Sequence, residues 1–157
     1  MENDIFKEIQ SARGKVANIH RVFENLPPMV EGHFYFYKKI MLDQDLPLSR
    51  QMREYLAVWT SQANECSYCI KHHQAALKLH YADHLDENKM EFFQSLVKTI
   101  TIEPHKASLF KYKALEYGIS AAEYSHAVAI IAYFNMANRL VFAMDTELEE
   151  DYVKSCH

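Results

Sequence analysis

Residues 53–74 read REYLAVWTSQANECSYCIKHHQ. Just upstream, Ser49 is a good N-cap, and Met52, Tyr55, Leu56 and Trp59 recur at helical spacing, so a helix is expected over 49–63. Asn64 and Glu65 make a tight joint, and a second helix is expected from about 66 to 79. In two helices folded back on each other, residues equally far from the joint lie at equal height. The midpoint of 54 and 73 is 63.5, inside the joint, so Glu54 is expected to face His73.

Cys66 and Cys69 open the second helix. Residues three apart on a helix are neighbours, and a small adjustment brings such sulfurs within bonding range. Free N–H groups and the helix dipole favour a thiolate there. His73 follows Cys69 by four residues and Cys66 by seven, so all three share a face. An imidazole on that face can take a thiol proton, and a carboxylate beside it fixes its tautomer and raises its basicity. Nucleophile, base and orienting group are thus Cys, His73 and Glu54.

Outward from this segment the chain reads as helix throughout. A first helix is expected over 3–13, with Ile5, Ile9 and Ala12 on one face and Gly14 as its stop. A short one is expected from Asn18 to Asn25, broken by Pro27 and Pro28, and another over 29–42, rich in aromatics. Further helices are expected over 86–99, capped by Asp86, and 104–117, begun by Pro104 and ended by Gly118. The last runs from its Ser120 cap to about Met144, with Glu123 completing a capping box. The charged tail 145–157 is expected to be loosely held. The fold class is all-α, a compact bundle of about seven helices with a central antiparallel pair carrying the cysteines.

Composition agrees. In 157 residues there are only 3 Gly and 4 Pro, too few for a hairpin-rich β fold. The length suits a single domain, 1–157. A net charge of −4 offers no basic face, so nucleic acid is not an expected partner. The longest apolar run, AVAIIAYF at 127–134, is interrupted by Asn135, Asn138 and Arg139, so no bilayer span and no membrane partner are expected. Three cysteines, two of them three apart, make a poor secreted disulfide framework and point to redox or metal chemistry in the cytoplasm.

The segment resembles the core motif of the carboxymuconolactone decarboxylase superfamily, in its alkylhydroperoxidase D-like, peroxidase-related branch. Glu54, Cys66, Cys69 and His73 fit that motif at every spacing. LPLSRQMRE before it and YFNMANRLVFAM at 133–144 are similar to the flanks of the branch, so the likeness reaches from about residue 16 to 148. The resemblance implies an all-α homo-oligomer, often a trimer or hexamer. It implies an antioxidant peroxidase that reduces hydroperoxides through a sulfenic acid and a disulfide. Cys69 would be the peroxidatic thiol, Cys66 the resolving one, and Glu54 and His73 a proton relay. No cofactor is implied. The reductant would be a dithiol protein, lipoyl-bearing or thioredoxin-like. The dedicated family member has a histidine just before its second cysteine, where this chain has Tyr68. The true decarboxylases lack the cysteine pair.

Two other readings of the site stand beside this one. It is a thiol–disulfide oxidoreductase or redox sensor with little peroxide turnover, or a non-enzymatic oligomer holding zinc on Cys66, Cys69 and His73 with Cys156 or His157 as a fourth ligand. Haem attachment is excluded because Ile70, not His, follows Cys69. Away from the motif, His72 is expected in solvent or at an interface, and His126 as a satisfied core histidine. Asn135, Asn138 and Arg139 are expected to bond within the bundle, Phe34 to Tyr37 to pack core and interface, and Glu149, Glu150 and Asp151 to form a solvated end. Cys156 is expected to be a bystander.

Overall fold

The computed structural model describes residues 4–81 and 85–156, so Asn3 and His157 lie outside the described residues. Among these there are eight α-helices and no strands. They are α1 (Asp4–Arg13), α2 (Asn18–Arg21), α3 (Pro27–Tyr37), α4 (Arg50–Ala63), α5 (Ser67–Leu79), α6 (Glu87–Ile102), α7 (Ser108–Lys113) and α8 (Ala121–Ala143). A π turn, Lys38–Leu42, continues α3, and short 3₁₀ turns occur at Pro104–Lys106, Ala114–Tyr117 and Tyr152–Ser155.

The expected caps are present. Ser49 accepts from the Met52 amide at 3.2 Å, Asp86 from Asn88 at 2.9 Å, and Ser120 and Glu123 close a reciprocal box at 3.2 and 2.8 Å. Gly14 and Gly118 end their helices with positive φ, which a Cβ would oppose. Helix α4 is central and packs on α5, α6 and α8. Its Leu56 shares one buried core with Phe93, Leu96, Ile130, Ile131 and Phe134. A smaller cluster of Ile5, Ile9, Val16, Val30 and Phe34 fastens α1 to α3.

Several expectations are corrected. On α1 the inward residue of the last turn is Arg13, and Ala12 is exposed. Pro27 and Pro28 start α3, where a missing N–H costs nothing. The stretch 104–117 is three short pieces, because Ala114 is its single buried residue and no apolar stripe holds a straight helix together. By length and composition α8 is long and apolar enough to cross a membrane, where the sequence suggests no such span; half of its most apolar window is buried inside the fold.

The tail is packed, not loose. Arg13 Nη2 donates to the Ser155 carbonyl at 2.7 Å, Lys15 pairs with Asp151, and Asn18 Nδ2 donates to the Glu147 carbonyl at 3.0 Å. Glu149, Ser155 and Cys156 are buried. The π turn anchors the other side of α4: the Met41 carbonyl accepts from Arg53 Nη1 at 2.7 Å and the Ile40 carbonyl from His126 Nε2 at 2.8 Å. His126 Nδ1 accepts the Leu48 amide at 3.3 Å, which makes it the satisfied core histidine the sequence suggests.

Candidate active site

The joint between α4 and α5 turns at Glu65, which takes φ +56°, and the Cys66 amide donates back to the Ser61 carbonyl at 2.9 Å. This closure puts Cys66 at the N-cap of α5, with Cys69 one turn inward. Both are free thiols, 0 % and 3 % exposed. The hydrogen bond from the Cys69 thiol brings Cys66 down to about 7 against the pull of burial, helped by the Cys69 and Tyr68 amides and by Asn138. The same hydrogen bond and burial hold Cys69 well above the ordinary thiol range. The shared hydrogen bond thus lowers the proton affinity of Cys66 and raises that of Cys69. Asn138, fully buried on α8, is fixed by donating to Ser61 Oγ at 3.1 Å and accepting from Asn64 at 3.0 Å.

The contact expected from the register is present: His73 Nδ1 lies 2.7 Å from Glu54 Oε2. Glu54 is fully buried, and its other oxygen accepts from Arg50 Nε at 2.7 Å. Burial opposes ionisation of Glu54, but His73 and Arg50 outweigh it and keep its carboxyl below the ordinary range. A carboxylate only accepts, so His73 donates from Nδ1 and presents Nε2 on its other edge. Phe134 packs edge-on against the ring at 4.6 Å.

A second buried carboxylate, not expected from the sequence, stands on the other side of α5. Glu149 accepts from the Tyr68 hydroxyl at 3.0 Å, from the Asn18 amide, and from His72 Nε2 at 2.9 Å. It is not a solvated end, and His72 is 4 % exposed, neither in solvent nor at an outer surface. Burial works against the Glu149 charge, yet His72, the Asn18 amide and its own amide bring it down to about 2. Burial holds His72 below its ordinary value despite Glu149, so the contact is a neutral imidazole donating to a carboxylate. No local signal in the sequence marks Glu149. Tyr68, which stood out only by its place between the cysteines, is pushed up by burial and by Glu149, and its oxygen also accepts the Ile19 amide at 3.2 Å.

A cavity of about 30 Å³ lies beside these groups, lined by Cys69, His72, His73, Arg13, Tyr37 and Tyr133 among others. That is the scale of one or two water molecules. Cys66 is not on its wall. Cys156 points elsewhere: its thiol donates to the His72 carbonyl at 3.2 Å, and burial pushes it up to about 11. Among the described residues no three His, Cys, Asp or Glu side chains converge as a metal ion needs, so Cys66, Cys69, His73 and Cys156 do not form a zinc ligand set.

The family model described as PA26 p53-induced protein (sestrin) matches residues 1–157. No curated protein matches the sequence. Among solved structures, an uncharacterized peroxidase-related protein from Silicibacter sp. TM1040 is similar, with a TM-score of 0.81 at 20% identity over 98% of this chain and 87% of that one. An alkylhydroperoxidase AhpD core protein from Ralstonia eutropha JMP134, also described as peroxidase-related, gives 0.80 at 21% over 98% and 89%. A variant of the debrominase Bmp8 in complex with 2,3,4-tribromopyrrole gives 0.71 at 18% over 98% and 88%. These likenesses bear out the alkylhydroperoxidase D-like fold that the motif resembles, and at such identities they speak of the fold alone.

Proposed function

The chain belongs to the family described as PA26 p53-induced protein (sestrin), and from that premise and the site we propose that it is a thiol-dependent peroxidase acting through Cys66 and Cys69. One observation carries the reading: a free, buried thiol pair with one lowered proton affinity adjoins a small cavity and a histidine held by a buried carboxylate. The fold's likeness to peroxidase-related proteins supports it.

Cys69 is the thiol on the cavity wall and is assigned the attack. Its proton passes to His73 Nε2, its sulfur bonds to one peroxide oxygen, and the O–O bond breaks. The departing oxygen leaves as water or alcohol after taking a proton by way of His73, which Glu54 orients. Cys66 then displaces water from the sulfenic acid, losing its proton, and the disulfide closes. The sum is one hydroperoxide reduced and two thiols oxidised. A dithiol protein, lipoyl-bearing or thioredoxin-like, restores the pair. This chemistry suits an antioxidant role in the cytoplasm. Copies of the chain associate as a homo-oligomer, trimer or hexamer, a reading favoured by large apolar side chains left exposed at Leu109 (61 %), Tyr112 (79 %) and Leu115 (77 %).

A second reading reverses the thiols, and the lowered proton affinity of Cys66 favours it. Intact mass and thiol titration after limiting peroxide decide. The wild type loses two thiols and about 2 Da as the disulfide forms. Cys66→Ser gains one oxygen and Cys69→Ser is inert. The opposite pattern makes Cys66 the attacking thiol, and a wild type whose thiols survive peroxide but exchange readily with disulfides is a thiol–disulfide oxidoreductase instead.

A further inference from the structure

Three polar side chains on the cavity wall are more than nine-tenths buried, and each leaves one polar atom without a partner among the described residues. Arg13 is 6 % exposed, Tyr37 3 % and His20 1 %. The unpartnered atoms are Arg13 Nε, Tyr37 Oη and His20 Nε2, and all three residues line the cavity that Cys69 enters. Buried polar atoms are rarely left in this state, and three around one small space point to a ligand that accepts from them.

All three can donate. Arg13 is a permanent cation; it lies 4.5 Å over the Tyr37 ring, gives Nη2 to the Ser155 carbonyl and makes no ion pair among the described residues. Tyr37 is pushed up by burial and keeps its proton. His20 Nδ1 is 3.3 Å from His33 Nδ1, and the Tyr133 hydroxyl is 2.9 Å from His33 Nε2. With that hydroxyl donating, neutral His33 donates from Nδ1 to His20 Nδ1, and neutral His20 keeps its proton on Nε2. Burial holds both imidazoles neutral, His33 at about 4.

We propose that Arg13, Tyr37 and His20 bind the two-oxygen head of a hydroperoxide and hold the departing oxygen, in a cavity whose size selects hydrogen peroxide over hydroperoxides with a crowded carbon at the oxygen. This rests on the peroxidase reading above. When the sulfur bonds to one oxygen, the electron pair of the O–O bond moves onto the other. Negative charge then appears opposite a buried cation lacking a carboxylate partner, where fixed donors act most strongly. The donors stabilise that oxygen until it is protonated and leaves.

Stopped-flow oxidation of the full chain tests this, with iodoacetamide as a reagent that needs the thiolate but no oxygen-anion site. Hydrogen peroxide is expected to react at least about tenfold faster than cumene hydroperoxide. Tyr37→Phe, which removes one unpartnered oxygen and retains the packing, should slow hydrogen peroxide about fivefold to tenfold. Arg13→Gln should slow it about 100-fold, with Arg13→Lys recovering part of the loss, while alkylation changes less than about threefold in every variant. Equal peroxide rates in wild type and Tyr37→Phe, or a cumene rate matching hydrogen peroxide, overturn the proposal. If no hydroperoxide oxidises the wild type, the peroxidase reading fails by itself. The pocket then stands if azide slows alkylation of Cys69, located by peptide mass, in the wild type and not in Arg13→Gln, and falls if azide protects neither.

Discussion

Two consecutive residues of α5 each meet a buried carboxylate, and the two carboxylates come from opposite kinds of structure. His73 meets Glu54 at 2.7 Å, 19 residues away on the neighbouring helix. His72 meets Glu149 at 2.9 Å, 77 residues away in an irregular tail. The first contact is set by helical register across a short joint, so a few local rules place it. The second depends on where the tail docks, and that is settled by Arg13, Lys15 and Asn18 at the far end of the chain. Similar chemistry is thus held locally on one side and globally on the other. Glu54 orients His73, whereas Glu149 ties together the tail, Tyr68 and the start of α2.

If this division is right, the largest difference lies in turnover. Glu54→Gln is expected to lower hydroperoxide turnover about 100-fold, and Glu149→Gln to lower it less than about fivefold. Equal losses would erase the distinction. Next comes stability. Glu149→Ala is expected to cost about 1–3 kcal/mol in urea unfolding, since Tyr68, His72 and the Asn18 amide lose a charged acceptor. The pH dependence sharpens this. The Glu149 carboxyl titrates at about 2 in the folded chain against an ordinary 4.5, so its contribution is complete above pH 4.5 and is lost as the pH falls toward 2. The stability gap between wild type and Glu149→Gln should therefore narrow over that window. The smallest effect is expected at Cys156→Ser, within about 1 kcal/mol and without change in the thiols lost to peroxide. Loss of peroxide reactivity there would draw the tail into the chemistry and break the contrast.

The sequence was most legible where neighbouring residues decide the outcome. Ser49, Asp86, Ser120 and Gly118 act within one turn of themselves, and their caps and stops are found where their types place them. Glu54 and His73 are readable because a short joint transmits register. His72 and Glu149 were misread together, because each looks solvated when judged without the other. Arg13 was missed because a charged residue in a last turn reads as surface, and only the docked tail and the Tyr37 ring give it an interior place. The helix expected over 104–117 failed for want of a buried face.

The π turn at Lys38–Leu42 bears on how this chain tolerates insertion and deletion. Its wide turn, closed by the Asp43 amide on the Lys38 carbonyl at 2.9 Å, presents the Ile40 and Met41 carbonyls to His126 and Arg53. Deleting one residue there would restore an ordinary helix and rotate everything beyond by about 100°, taking both acceptors off their donors. These five residues can therefore change in kind and hardly in number.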